Sequence, residues 1–231
     1  MAGIGAGMMS MVPVTEALFY FPERFRSCNV YLLKSSDGAL LVDPSLAVQD
    51  LPSDLPIRMI LATHAHYDHI GALNSWKEAM PQRPFLMHAG DIGMLDDPAI
   101  NASKFFGRPG SFPHPDASFE DGDSLTLDAQ YSLQVIHTPG HTMGSSCFLI
   151  FRHEGEDKQP LALLTGDTLF DRAWGRTDFV TGDDRLMRQS LEKLHGLLSQ
   201  LPADLPVCPG HASLTTAQEA CRFLRMAGFA S

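Results

Sequence analysis

The chain has 231 residues, is 44% hydrophobic and carries a formal net charge of −10. No basic stripe or arm interrupts that acidity, so a nucleic-acid partner has no electrostatic footprint. No apolar run approaches the roughly 20 residues that span a bilayer, and four scattered cysteines (Cys28, Cys147, Cys208, Cys221) without a Cys-x-x-Cys pair fit free thiols in a reducing, cytoplasmic setting.

Residues 1–13 lack a basic stretch and a continuous apolar core, which reads as a flexible start and not as a signal peptide. Asn29 to Leu33 and Ala39 to Val42 are apolar strands joined by Ser-Ser-Asp-Gly, a hairpin signal, and the second ends on Asp43-Pro44. A strand over Arg58 to Ala62 runs into Thr63-His64-Ala65-His66-Tyr67-Asp68-His69. Ile70, Leu73, Trp76, Lys77 and Met80 then recur at helical spacing up to Pro81. A short strand at Pro84 to Met87 and a brief helix near Ala89 to Leu95 lead to a long loop, 96–118, rich in Gly and Pro; a loop of that length suits a lid or a substrate wall. After the turn Asp121-Gly122-Asp123, strands are expected at Ser124 to Leu127, Leu133 to His137, Cys147 to Phe151 and Leu161 to Leu164, the last two joined by a polar turn from His153 to Gln159. Asp183-Asp184 opens a helix with Leu186, Leu191, Leu194, Leu197 and Leu198 on one face. A final strand at Pro206 to Cys208 precedes a helix opened by the capping box Thr216-x-x-Glu219. Strands leading into helices in two similar halves imply stacked sheets with helices outside.

Three imidazoles and a carboxylate within six positions, at the mouth of one strand, make a metal site. Other candidates also sit at strand exits: His141 and His211 in the paired turns Pro139-Gly140-His141 and Pro209-Gly210-His211, and Asp167 in Thr165-Gly166-Asp167-Thr168. The set His64, His66, Asp68, His69, His141, Asp167 and His211 exceeds the needs of one tetrahedral ion and suits two divalent ions sharing a carboxylate and a hydroxide.

This pattern resembles the metallo-β-lactamase superfamily, with a resemblance that covers residues from about 14 to 227. It implies an α/β, four-layer αββα sandwich: two mixed sheets with helices outside, as one domain over 14–231. By the same resemblance His64, His66 and His141 hold one ion, Asp68, His69 and His211 the other, and Asp167 bridges; Asp43 matches an aspartate that braces the ligands from behind. Within the superfamily the chain is most similar to glyoxalase II (hydroxyacylglutathione hydrolase) and its short one-domain relatives, through His137-Thr-Pro-Gly-His-Thr142, Thr165-Gly-Asp-Thr-Leu-Phe170, Gly175-Arg-Thr-Asp-Phe179 and Pro209-Gly-His-Ala-Ser-Leu-Thr-Thr216. Only 20 residues follow His211, so the basic residues that classical glyoxalase II draws from a C-terminal helical domain are not expected in the site, and Ala212 stands where the short relatives commonly have Gly.

The expected activity is therefore hydrolysis of a small-molecule thioester such as S-2-hydroxyacylglutathione, by attack of a metal-bridging hydroxide on the carbonyl, in a monomer or homodimer. Zinc is the first expectation for the metals, with iron or manganese as alternatives. Asp68 and Asp167 are the candidate catalytic carboxylates. Tyr67, Arg172 and Arg176 are candidate substrate contacts, with Lys104 and Arg108 as further cations and Phe105, Phe106 and Trp174 as walls. A mononuclear-iron persulfide dioxygenase is the alternative in another reaction class, because Gly175 to Phe179 is similar to a segment of that family. Lactonases and other ester hydrolases of the same fold are further alternatives, while a β-lactamase is disfavoured because Asp167 stands where zinc β-lactamases use other groups.

Overall fold

The computed structural model describes residues 10–24, 26–52 and 56–230. Its strands are β1 (Val12–Pro13), β2 (Leu18–Phe21), β3 (Val30–Ser35), β4 (Gly38–Val42), β5 (Ile57–Leu61), β6 (Phe85–His88), β7 (Ala117–Phe119), β8 (Ser124–Thr126), β9 (Tyr131–His137), β10 (Ser146–Glu154), β11 (Asp157–Gly166), β12 (Leu169–Phe170), β13 (Ala173–Trp174), β14 (Pro206–Pro209) and β15 (Thr215–Thr216). The helices are α1 (Tyr67–Ile70), α2 (Leu73–Ala79), α3 (Asp184–Leu198) and α4 (Ala217–Met226). One sheet has the order β1-β2-β3-β4-β5-β6-β7 and the other β15-β14-β11-β10-β9-β8, with β12 and β13 as a separate small hairpin. Both large sheets are mixed, since β4 to β7 run parallel, as do β11 and β14, while the other pairs are antiparallel. The αββα sandwich expected from the sequence is the fold observed.

Period-two alternation explains why the layers stack. In β3, Val30 and Leu32 face the helical side of their sheet, whereas Tyr31 and Leu33 face the opposite sheet; β4 repeats this with Ala39 and Leu41 against Leu40 and Val42. In the second sheet Phe148, Ile150, Ala162 and Leu164 point to the inter-sheet core, while Cys147, Leu149 and Leu163 point outward to α3 and α4. Strands covered on both faces read as continuous apolar runs, which is why they were visible in the sequence. Trp76 of α2 is buried over the first sheet, and its indole Nε1 donates to Leu46 O at 2.8 Å, so its one polar atom is satisfied. Asp183 and Thr216 cap α3 and α4 by accepting from Leu186 N and Glu219 N, as their sequence patterns predict.

Several expectations change. The flexible start was expected to reach residue 13; residues 1–9 lie outside the described residues, and Val12–Pro13 pairs with Tyr20 and Phe19 of β2. Proline is tolerated there because β1 is an edge strand. The helix expected from Ile70 to Met80 is broken between α1 and α2, because Ala72 N donates to Pro44 O instead of continuing the ladder. The polar stretch from His153 to Gln159 is mostly strand: Glu154 pairs with Asp157, and only Gly155 and Glu156 make the turn, Gly155 at φ 64°.

Candidate metal centre

Parallel strands deliver their C-terminal ends to one rim, and the cluster forms there. Asp43 closes β4 in the left-handed region, at φ 59°, and turns its carboxylate toward the exit of β5. Its Oδ1 accepts Thr63 N at 2.7 Å, and its Oδ2 accepts Thr63 Oγ1 and His69 Nδ1, each at 2.9 Å. Asp43 thus fixes the start of the His64–His69 loop and the ring at its end. The sheets are joined at the same rim, since Tyr31 Oη donates to Pro209 O at 2.7 Å and Asn29 N to Gly210 O at 2.7 Å. The two Pro-Gly-His turns use glycine differently. Gly140, at φ 138°, lies against the backbone of Met187, whereas a Cβ on Gly210 would stand 2.6 Å from His69 Cε1 and collide with Asp167 Oδ1. Gly210 therefore makes room for the cluster itself.

Each ring is oriented from behind. His69 Nδ1 faces Asp43, His141 Nδ1 faces Arg176 O at 2.8 Å, and His211 Nδ1 faces Glu23 Oε2 at 2.6 Å. His64 Nδ1 lies 3.1 Å from Thr63 Oγ1, whose proton goes to Asp43. Acceptors on Nδ1 select the tautomer with a bare Nε2, the arrangement that second-layer partners give to metal-binding histidines. His66 is the exception: its Nδ1 faces His141 Nε2 at 2.9 Å.

The inward atoms converge. His64, His66 and His141 form one set of donor atoms within 4.8 Å of one another; Asp68, His69 and His211 form a second, and His64, His69 and Asp167 a third that overlaps both. Asp167 lies between them, with Oδ1 3.2 Å from His69 Nε2 and Oδ2 3.5 Å from His141 Nε2 and 3.7 Å from His211 Nε2. The His69–Asp167 approach is close but misdirected for a hydrogen bond. His69 Nε2 and Asp167 Oδ1 accordingly stay without a partner, as do buried His64 Nε2 and His66 Nε2. Bare nitrogens and a bare carboxylate oxygen, buried and converging, fit divalent cations, because such atoms otherwise bear a desolvation cost of about 1–3 kcal/mol each.

The electrostatics agree. Burial, reinforced by neighbouring His69, holds His64 well below the ordinary histidine range, and burial with the nearby His141 lowers His66 to about 3. Burial works to raise Asp167, yet His69, His141 and His211 together hold it well below the usual carboxylate range. His211 moves the other way: burial opposes its charge, but Asp68, Asp167 and Glu23 push it up to about 9. Burial opposes charge on His69 too, but its neighbours hold it well above the ordinary histidine range. The cluster therefore keeps two imidazoles neutral and draws positive charge to the side where its ionised acids lie. Cys28 sits behind His69 with Asp43, but burial pushes its thiol up to about 11, so it packs there as a neutral group.

A cavity of about 600 Å³ opens above the cluster, lined by His66, Asp68, Ala102, Phe105, Phe106, His141, Asp167, Phe170, Trp174, Gly175, Arg176, Phe179 and His211. Of the expected substrate contacts only Arg176 lines it. Tyr67 lies behind Phe106, packed on that ring and on Phe112, because its place on α1 turns it into the helical-side core. Arg172 faces a neighbouring pocket with Asp171, Glu219 and Arg222. Lys104 and Arg108 are also outside the lining, whereas Phe105, Phe106 and Trp174 are walls as expected.

The sequence reading missed Asp91, Glu23 and Phe179. Asp91 is buried and accepts Ala65 N at 3.1 Å, Thr142 Oγ1 at 2.7 Å and Gly144 N at 2.6 Å. Glu23 takes both His211 Nδ1 and Ala212 N, and Phe179 packs against His66 and His141. An acid shortly after a strand exit was a usable signal for Asp91, which follows β6 by three residues.

Two facing mixed sheets, helices on both outer sides and a His/Asp cluster at strand exits define an αββα protein built around a metal-binding rim. Residues 24–226 match the Metallo-beta-lactamase superfamily, and the chain belongs to it. It is 31% identical over 186 residues to the hydroxyacylglutathione hydrolase GloC of Haemophilus influenzae, covering 78% of this chain and 82% of that one. Among solved structures it is similar to BLEG-1, a B3 metallo-beta-lactamase, at TM-score 0.72 and 32% identity over 87% of this chain and 95% of the other. It is equally similar to TTHA1623 in a di-iron-bound form, at TM-score 0.72 and 30% identity over 89% of this chain and 98% of the other.

Proposed function

We propose that the chain is a dinuclear metal-dependent hydrolase of thioesters, with S-2-hydroxyacylglutathione as the reference substrate. One observation carries the reading: the Asp167 carboxylate stands between two sets of inward-facing imidazole nitrogens, with one oxygen toward His69 and the other toward His141 and His211. In this scheme His64, His66 and His141 hold one ion, Asp68, His69 and His211 the other, and Asp167 both. The likeness to a di-iron protein and to GloC supports it. When bound, two dications would lower the pKa of water to about 7 and polarise a carbonyl oxygen.

The chain's own groups do the rest. Asp68, paired with His211 Nε2 at 3.2 Å, orients the attacking water. Asp43, Glu23 and the Arg176 carbonyl face Nδ1 of His69, His211 and His141, which turns each Nε2 toward the cluster, where it would meet a cation. A thiol with a pKa of about 8.5 departs as thiolate without a proton donor. An amine would need one, and the polar side chains lining the cavity are either ligands in this scheme or, for Arg176, engaged by Asp178. The likeness to BLEG-1 favours a cyclic amide as a second reading.

Elemental analysis of freshly purified protein, paired with assays on S-lactoylglutathione and nitrocefin, tests the proposal. About two metals per chain with thioester turnover are expected. Two metals with nitrocefin turnover alone would favour the second reading, and a single iron with oxygen uptake on a persulfide would point to dioxygenase chemistry.

A further inference from the structure

Beyond the metal ligands, the cavity wall is aromatic and nearly uncharged. Phe105, Phe106, Phe170, Trp174 and Phe179 form it, with Arg176 as its one lysine or arginine among the described residues. That cation is already engaged. Its Nε and Nη2 each lie 2.6 Å from an Asp178 oxygen, and its guanidinium stacks 4.7 Å over the Phe179 ring. Phe105 is 85% exposed and Val180, next to Phe179, is 84% exposed, so apolar surface continues out of the mouth. A tripeptide carrier with two carboxylates needs free cations or backbone donors to replace its hydration, and burying such charges unpaired is costly. The net charge of −10 adds long-range repulsion that two dications only partly offset.

Resting on the hydrolase reading, we infer that the physiological substrate is a neutral ester or thioester whose aromatic or branched-alkyl group lies against these rings, and that a charged carrier such as glutathione adds nothing to recognition, so S-lactoylglutathione is turned over only as a poor reference thioester. Water adds to the carbonyl carbon, the C–S or C–O bond breaks, and the acid and the free thiol or alcohol leave, so neither oxidant nor co-reactant is required.

The test is a two-by-two set of thioesters on metal-loaded protein: lactoyl or phenylacetyl groups, each on glutathione or on N-acetylcysteamine, a neutral alkyl thiol. The phenylacetyl thioester of N-acetylcysteamine should exceed lactoylglutathione at least about tenfold in kcat/KM, the discrimination expected of an apolar pocket. Glutathione should give no gain with either acyl group, and Phe106→Ala should erase the preference mainly through KM. A tenfold gain from glutathione with either acyl group overturns the inference.

Binding separates this inference from the hydrolase reading. Of the two tryptophans, Trp76 is buried and Trp174 lines the cavity, so quenching by a nitroaromatic reports occupancy, with Trp174→Phe as the control. Protein inert on all four thioesters yet quenched equally well by 4-nitrobenzyl alcohol and S-(4-nitrobenzyl)glutathione would refute thioester hydrolysis while supporting the apolar selectivity. Much tighter binding of the glutathione conjugate would refute the selectivity.

Discussion

Asp91 Oδ1 accepts the backbone N–H of Gly144 across 2.6 Å, while its other oxygen takes Ala65 N and Thr142 Oγ1. One buried carboxylate thereby fastens the loop carrying His64 and His66 to the turn carrying His141, although the two are far apart in the chain. Burial pushes its pKa up, against the pull of these donors, so its anchoring is won at an electrostatic cost.

Asp91→Ala would leave Ala65 N and Gly144 N buried without acceptors. A loss of about 3 kcal/mol in urea unfolding is expected, with weaker retention of the ion proposed to sit among His64, His66 and His141. Asp91→Asn keeps one acceptor oxygen and should cost less than the alanine variant. Equal stability of Asp91→Ala and the parent chain would contradict the bracing role.

Asp167→Ala removes the carboxylate shared between the two imidazole sets. Metal content should fall from about two ions per chain to one or none, and turnover should disappear; two tightly held ions in the variant would refute the bridge. Chelation of the parent protein should likewise abolish activity and lower its stability, with recovery on adding zinc. Ligand linkage gives about 4 kcal/mol when free metal exceeds its Kd a thousandfold.

The metal-free protein should lose stability on mild acidification. His66 has an ordinary pKa of 6.5 and a folded value of about 3. Between these values the unfolded chain binds a proton that the native state excludes, so the stability contribution is complete above 6.5 and falls as pH drops toward 3. From pH 7 to pH 5 the loss through His66 alone is about 2 kcal/mol, and His64 shifts in the same direction; His69 and His211, shifted up, gain a smaller amount over the same window and offset part of it. Urea melts of chelator-treated protein at the two pH values measure it, and unchanged midpoints would contradict it.

Ala212 adopts φ 64°, a left-handed conformation that costs an L-residue about 1–2 kcal/mol. Its N–H donates to Glu23 and its carbonyl accepts from Asn29, so the conformation is held by the same contacts that orient His211. Ala212→Gly should stabilise the protein by about 1 kcal/mol, raising the Tm by about 2–4 °C. A lower Tm would show that the alanine methyl has packing value beyond the backbone term.

Much of the centre was readable because its chemistry is local. His64, His66, Asp68 and His69 fall within one loop, and His141, Asp167 and His211 each follow a strand that its apolar run reveals. Tyr67 misled because neighbouring positions on a helical turn face different ways; a residue between two members of the cluster can point into the core. β2 is an apolar run of only four residues, with Leu18 between the sheets and Phe21 on the helical side, too short for periodicity to separate strand from helix.

By itself the sequence determined the layers and the inventory of candidate donor groups, because period-two burial and the donor chemistry of imidazole and carboxylate are properties of short segments. Only the tertiary structure decided which nitrogen of each ring faces inward, and that Asp91 and Glu23 hold the ligand loops. It also decided that the cavity walls are rings rather than free cations. Those outcomes depend on contacts between residues as distant as Glu23 and His211, and a hydrogen bond between remote segments has no signature in either segment alone.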